Sequence, residues 1–586
     1  MIISEDQFRL RQRFEDIELG RVIPQFFLRP CRLKILMVVD GFPGSFLNVS
    51  YSHSYFGLSA VLDTLRDNPE HFVKFDVTRA HRQTDTFKPN PATDPDLHDK
   101  YGPHFENFRF DQPGFNVDEY DQIWFFGARG NPLDSQRLSN DELEVVSRWM
   151  DAGGGVFATG DHADLGASLC SGIPRVRSMR KWTAAQSVPS GSGVNRHDTL
   201  DKGDNSVYTF DDESDTTPMT ITYKKYALNS FSPFVRRHQP HALLCGQKGV
   251  IDILPDHPHE GEVIDTAGIN LSASFSFNGY SNDEFPSATV SGPKPEVVAW
   301  AHVKSDHTAV SDLNKGFVNA KTFGAIGAYD GQDVDIGRVA VDSTWHHWFD
   351  VNLTGRPQSR LDSPPNNASN PKTEGFLYDA AGQAEYRRIQ NYFRNVGMWL
   401  ADKPKQRCMF IRALWGSLIR YPLVEEIHSR LTIWQLGELA RDAIGRTSSK
   451  CTLNRWVIDL FPVEVLDPWR KFELPDNFPG PCLTCPPLES LEIFTLGGIM
   501  QNIIEVTDIK SNARLEEVDE KLLSEALVKG AETGLQLFVE NFKQSISLSE
   551  KFVSDIGASA KDLPKASCFE AQSRPVSCKK KTTELA

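Results

Sequence analysis

No stretch of the chain approaches the roughly 20 uninterrupted apolar residues that a membrane-spanning helix requires. The first residues, MIISEDQFRLRQRFEDIELG, carry charge from Glu5 onward, so neither a membrane helix nor an export signal is expected. Cysteine is sparse, with nine scattered over 586 residues. In the absence of an export signal they read as reduced thiols of a cytoplasmic protein rather than as a disulfide framework. Positive charge is in deficit: 63 Lys plus Arg stand against 78 Asp plus Glu, a net charge of −15. The long-range field therefore repels phosphate backbones and anionic lipid, and neither nucleic acid nor a membrane is an expected partner. Internal repeats at solenoid periods are absent. Whole-chain disorder is excluded by 40% apolar and 24% charged residues, which is ordinary globular usage.

At roughly 100 to 200 residues per domain the length accommodates about two to four domains. Leu33–Val39 (LKILMVV) is a nearly continuous apolar run that suits a strand buried on both faces of a parallel sheet. Tyr55–Asp67 has helical spacing, and Val73–Val77 reads as a second strand. Gln122–Gly127 (QIWFFG) is a third strand, followed by a helix whose start is marked by Ser139 and Glu142, a capping-box pattern. Val156–Thr159 opens a fourth strand; Glu296–Val303, Phe323–Tyr329 and Arg338–Ser343 are further candidates. Alternation of strands and helices argues for an α/β fold with a doubly wound, mostly parallel sheet.

That domain is expected over residues 31–358, after an N-terminal extension at 1–30, with a polar loop insertion near 183–215. Residues 359–375 (SRLDSPPNNASNPKTEG) have linker composition. Beyond them, Ala384–Ala401, Arg407–Tyr421, Ile433–Ala443 and Leu522–Phe542 show helical spacing, giving a mainly α-helical region over 376–562 and a disordered tail at 563–586. The helical region is the expected surface for a protein partner or for self-association.

Ligands of open α/β sheets gather beyond the carboxyl ends of the strands, where strand order reverses. The residues in those positions are Asp40, Gly127–Gly130 with Arg129, Gly160–Asp164, and Thr344–Trp348. Asp161 is placed to cap a helix start, with Asp164 returning to its side and His162 between them. Two carboxylates beside an imidazole suit proton exchange or a divalent cation. Asp161, His162, Asp164 and His346 are thus the candidate catalytic residues. Of the neighbours His346 and His347, only one is expected to face a site. Asp256–Glu262 (DHPHEGE) adds potential ligands, making His259, Glu260 and His347 the candidates for Zn or Mg. The basic tract Pro174–Trp182 offers Arg175 and Arg177 to an anionic substrate, with Asp40 and Arg129 as further substrate-binding candidates. Cys482–Cys485 is a single CxxC without the second pair that a zinc site needs.

The order of a strand ending in Asp40, the Gly127 strand end, the GGG turn before the fourth strand and the late GRVAVDSTWHHW segment resembles the class I glutamine amidotransferase-like superfamily, ThuA-like (trehalose-utilisation-like) branch, over about residues 33–355. The resemblance implies a flavodoxin-like fold and a late functional His at 346 or 347. Amidotransferases of the superfamily carry a nucleophilic Cys on the turn after the fourth strand; here that position is Gly160, so glutaminase chemistry by a Cys nucleophile is not expected. The resulting expectation is a hydrolase or related acid/base enzyme acting on a small polar, sugar-like or anionic molecule. The alternative is a non-catalytic binding or assembly protein built on an inactive scaffold.

Overall fold

The computed structural model describes residues 29–41, 57–84, 104–130, 135–161, 164–183, 218–228, 237–247, 249–255, 261–303, 321–355, 375–420, 431–446, 448–461, 488–507 and 520–561. The expected loop insertion, linker, CxxC segment and tail fall almost wholly outside these residues.

Among the described residues twelve strands build one sheet. They are β1 (Cys31–Val39), β2 (Val73–His81), β3 (His104–Phe105), β4 (Gln122–Phe126), β5 (Gly155–Thr159), β6 (Arg180–Lys181), β7 (Met219–Tyr223), β8 (Ile253–Leu254), β9 (Glu262–Val263), β10 (Glu296–Val303), β11 (Lys321–Tyr329) and β12 (Val339–Asp342). Helices of eight residues or more are α1 (Ser59–Arg66), α2 (Asn140–Asp151), α3 (Ala380–Leu400), α4 (Lys403–Arg420), α5 (Ile433–Gly445), α6 (Lys450–Asp459), α7 (Leu488–Thr507) and α8 (Glu520–Lys561). The sheet order is β8-β7-β10-β11-β12-β5-β4-β1-β2-β3, with β9 bridging β11 and β6.

The half from β12 to β3 is parallel throughout, and the other half is antiparallel. Strands Glu296–Val303 and Phe323–Tyr329 were readable as strands, but their direction was not: both lie in the antiparallel extension. Register fixes the feature that matters most. Val39 is level with His81 and Phe126, Phe126 with Thr159, and Thr159 with Asp342. Five parallel strands therefore end in one row, and the residues after them share one rim.

Alternation along each strand sends side chains to opposite faces. Leu33, Ile35, Met37 and Val39 of β1 join Trp124, Phe126, Phe157 and Ala340 on one face; Leu36 and Val38 join Ile123, Phe125, Val156 and Val341 on the other. Both faces are covered, which is why the β1 sequence is apolar without interruption. On the second face α2 starts with the expected capping box: Ser139 Oγ accepts from the Glu142 N–H at 3.2 Å, and Glu142 accepts from the Ser139 N–H at 3.0 Å.

On the first face α1 and α3 lie against the strands. Phe393 of α3 stacks on Trp348 at 4.6 Å, and Gln122 Nε2 donates to the Gly397 carbonyl at 2.5 Å. One apolar cluster runs from Cys31 through α3–α7 to Ala531 in α8. The helices beyond residue 375 thus share the core of the sheet instead of forming a core of their own.

Among the described residues two disulfides fasten this arrangement, Cys31–Cys408 between β1 and α4 and Cys245–Cys451 between the segment before β8 and α6. This corrects the expectation of reduced thiols. Sequence spacing gave no hint, because the partners lie 377 and 206 residues apart. Among the described residues Cys170 is the free cysteine, and it is buried.

Candidate functional site

The rim is assembled by short polar contacts between strand ends. After β1, Asp40 Oδ1 accepts from the Ala128 N–H at 2.6 Å, and its carbonyl accepts from Arg129 Nε at 2.9 Å. After β4 and β5, the carbonyls of Gly127 and Gly160 accept from Trp345, the first from the indole N–H at 3.0 Å and the second from the backbone N–H at 2.8 Å. Trp345 therefore spans three strand ends. Asp40, Arg129, Asp161 and His346 thus follow strand ends that lie in one row.

Thr344 organises the other end of this edge. Its hydroxyl caps the 3-10 turn Trp345–His347 by accepting from the His346 N–H at 3.1 Å. The same hydroxyl donates to Asp161 Oδ1 at 2.7 Å. His346 Nδ1 lies 2.9 Å from the Asn352 Oδ1 acceptor, and Nε2 stands 3.7 Å from Asp161 Oδ2. Asn352 thereby fixes the tautomer that directs Nε2 to Asp161. The four side chains are enclosed: Asp161 and His346 expose 1% each, Thr344 and Asn352 none.

His347 points elsewhere, as expected for one of two adjacent residues. Its Nδ1 lies 2.6 Å from Asp342 Oδ1, and the same carboxylate accepts from the Trp348 indole and the Tyr392 hydroxyl, each at 2.9 Å. This corrects the reading of His347 as a metal ligand: Asp342 holds it within the core. His162, His259 and Glu260 lie outside the described residues, and among those described no three His, Cys, Asp or Glu side chains cluster to hold a metal. Asp161 and His346 would be the two contributors from the described part of the chain.

Asp161 does not cap a helix. Its N–H donates to Leu165 O at 2.9 Å within a turn, and helix begins only at Ala167, after Gly166 at φ +100°. Asp164 is half-buried, packed against Gly130. The reason lies in the glycines. A Cβ on Gly160 would sit 2.5 Å from Leu165 O and 2.9 Å from the Trp182 ring; one on Gly127 would sit 2.6 Å from Gly166 Cα. Backbone packs on backbone here, so the turn after β5 has no room for a side chain at Gly160. Cys170, at the end of the short helix Ala167–Cys170, offers no thiolate, because burial and then Asp40 push its thiol well above the ordinary range and leave it protonated.

The basic tract meets the rim through a residue the sequence did not single out. Arg180, fully buried, donates to the carbonyls of Asp161 (2.6 Å), Asp342 (3.0 Å) and Ser343 (2.6 Å), tying the ends of β5 and β12 together. Arg175 and Arg177 do not serve as substrate forks, which is a correction. Arg175 pairs with Asp151 and donates from Nε to Glu284 O at 2.8 Å. Arg177 pairs with the Glu284 carboxylate, its Nε at 2.6 Å. Asp151 ends α2, at the amino end of β5, whereas Asp161 follows the carboxyl end; five residues of strand, about 16 Å, separate them.

Asp40 is a buried acid of the rim. Burial raises its pKa to about 6, with the N–H groups of Ala128 and Arg129 pulling the other way, and its Oδ2 has no hydrogen-bond partner among the described residues. Along the same row, His81 at the end of β2 and His104 on β3 bring ring nitrogens to 2.6 Å, and burial holds His81 well below the usual imidazole range. Neither His stood out in sequence, since their strands meet only in the folded sheet. No protein-family model and no curated protein matches the chain. Function therefore rests on the residues themselves.

Proposed function

We propose that the carboxyl rim of the parallel strands is the acid/base site of a hydrolase or related enzyme acting on a small polar molecule. The observation that carries this reading is His346, held by Asn352 on one nitrogen and facing Asp161 with the other. In that arrangement Nε2 takes and returns a proton, and the Asp161 carboxylate stabilises the imidazolium formed. The positive charge of Arg180 beneath Asp161, with Arg129 further along, favours a polar or anionic substrate. Both His346 and Asp161 are enclosed, so turnover requires an opening motion.

The five long parallel strands lie in the spatial order second, first, third, fourth, fifth, which is the flavodoxin-like order. This supports the resemblance to the ThuA-like branch. The disulfides Cys31–Cys408 and Cys245–Cys451 favour an oxidising compartment over the cytoplasmic location that the sequence suggests.

The test is hydrolysis of chromogenic esters, amides, glycosides and phosphate esters by the wild type, His346→Gln and Asp161→Asn. Each variant should lose at least about tenfold in turnover with its thermal midpoint retained. The second reading, a non-catalytic assembly protein, is favoured by the enclosure of Asp161, Thr344, His346 and Asn352 and by the closed Gly160 position. Absence of turnover by the wild type on all four substrate classes would leave that reading in place.

A further inference from the structure

Helix α8 outruns its support. Its 42 residues span about 63 Å, while its neighbour α7, with 20, spans about 30 Å. The two meet where backbones touch: a Cβ on Gly498 would lie 2.2 Å from Gly530 O, and one on Gly534 would lie 2.3 Å from Phe494 O. Buried Leu527, Ala531 and Phe538 continue that contact. Beyond it the pattern of the interface goes on without a partner among the described residues. Ala531, Leu535, Phe538, Phe542, Ser545, Ser549, Phe552 and Ile556 follow one another at alternating steps of four and three residues, the spacing of a helix-pairing seam. Phe538 stacks on Phe542 at 5.9 Å, and then Leu548, Phe552, Val553 and Ile556 are exposed by 68, 65, 58 and 52%.

We propose that this half of α8 is a self-association surface, occupied by the same segment of a second copy running antiparallel. Continuity with the α7–α8 interface supplies the seam. Charge supplies the occupant and its direction. Residues 541–548 carry Lys543 and no acid, whereas 549–556 carry Glu550, Lys551 and Asp555. An antiparallel copy sets the net positive half of each helix against the net negative half of the other; a parallel copy sets like against like. Opposed helix dipoles favour the same direction. Leu548, Phe552, Val553 and Ile556 of two copies, flanked by half-buried Phe542 and Ile546, bury on the order of 1,000 Å², the size of a weak interface that dissociates on dilution. The net charge of −15 disfavours the other claimant of an amphipathic helix, an anionic membrane.

Sedimentation velocity of the full chain tests this. The wild type should sediment as a dimer that dissociates on dilution, and Phe552→Asp with Ile556→Asp should be monomeric with unchanged far-UV circular dichroism. Lys543→Glu alone should weaken dimerisation by roughly tenfold, since each charge counts twice across the twofold axis, and adding Asp555→Lys should restore it. A wild type monomeric at every concentration, a dimer unaffected by the Phe552 and Ile556 changes, or a charge exchange that fails to rescue would each overturn the proposal. So would a monomer that cosediments with phosphatidylserine vesicles.

Discussion

Asp40 ties the chemistry of the rim to pH. Burial raises its pKa to about 6, so the fold favours the protonated acid. Its contribution to stability is complete below the ordinary carboxyl range near pH 4 and is lost as pH rises through about 6. Asp350, raised to about 6 by burial while its carboxylate accepts from Ser59 and Ala60 at the start of α1, acts in the same direction. Urea midpoints of the wild type should therefore fall between pH 4 and 6 relative to those of Asp40→Asn, by up to about 3 kcal/mol for two pKa units. Equal slopes would show that Asp40 is charged in the fold. Gly160→Ala should cost about 1 to 3 kcal/mol by overpacking, checked by denaturant titration; a neutral result would mean that Trp182 yields readily. Asp161 and His346 were legible in the sequence because each follows a strand. Arg180 was not, because three arginines in six residues look alike until the chain turns and sends one under the rim and two to Glu284. Asn352 was missed too: it gains meaning only through the ring it orients.

At the scale of elements, legibility followed exposure. The helix α2 was readable from its capping box and its one-sided apolar face, and α3 to α5 were readable from spacing. The helix α7 escaped notice because Leu491, Ile493, Leu496, Ile499 and Met500 are all buried around its circumference, leaving no polar face to mark a period. The antiparallel strands could be read as strands, but pairing direction is set by tertiary contacts that no local pattern encodes. The capping box of α2 is joined to a second contact, since Glu142 also pairs with the fully buried Arg82 at 2.6 Å. Ser139→Ala should cost about 1 kcal/mol, the usual loss of a cap. Glu142→Gln should cost about 3 kcal/mol, because it leaves a buried guanidinium without its counter-charge. Equal losses in thermal unfolding would show that Arg82 finds another acceptor.

The whole molecule has two working ends. Strand carboxyl ends carry the acid and imidazole groups, and amino ends are clasped by the C-terminal helices. Arg338 at the start of β12 reaches Asp330 at 2.9 Å and Asp459 of α6 at 3.0 Å, and Lys405 of α4 lies 3.2 Å from Asp121 beside β4. The two disulfides lock the same clasp. Reduction should lower the thermal midpoint, with each bridge contributing about 2 to 5 kcal/mol; calorimetry of Cys31→Ala, Cys408→Ala against the wild type measures the first. An unchanged midpoint would show that packing alone holds α4. Because one apolar cluster includes both β1 and α7, a chain divided between residues 359 and 375 would leave each piece with half of a hydrophobic interior. Such pieces should be insoluble alone and should regain the native fold when synthesised together, so the protein is suited to a split-fragment reporter that oxidation seals shut.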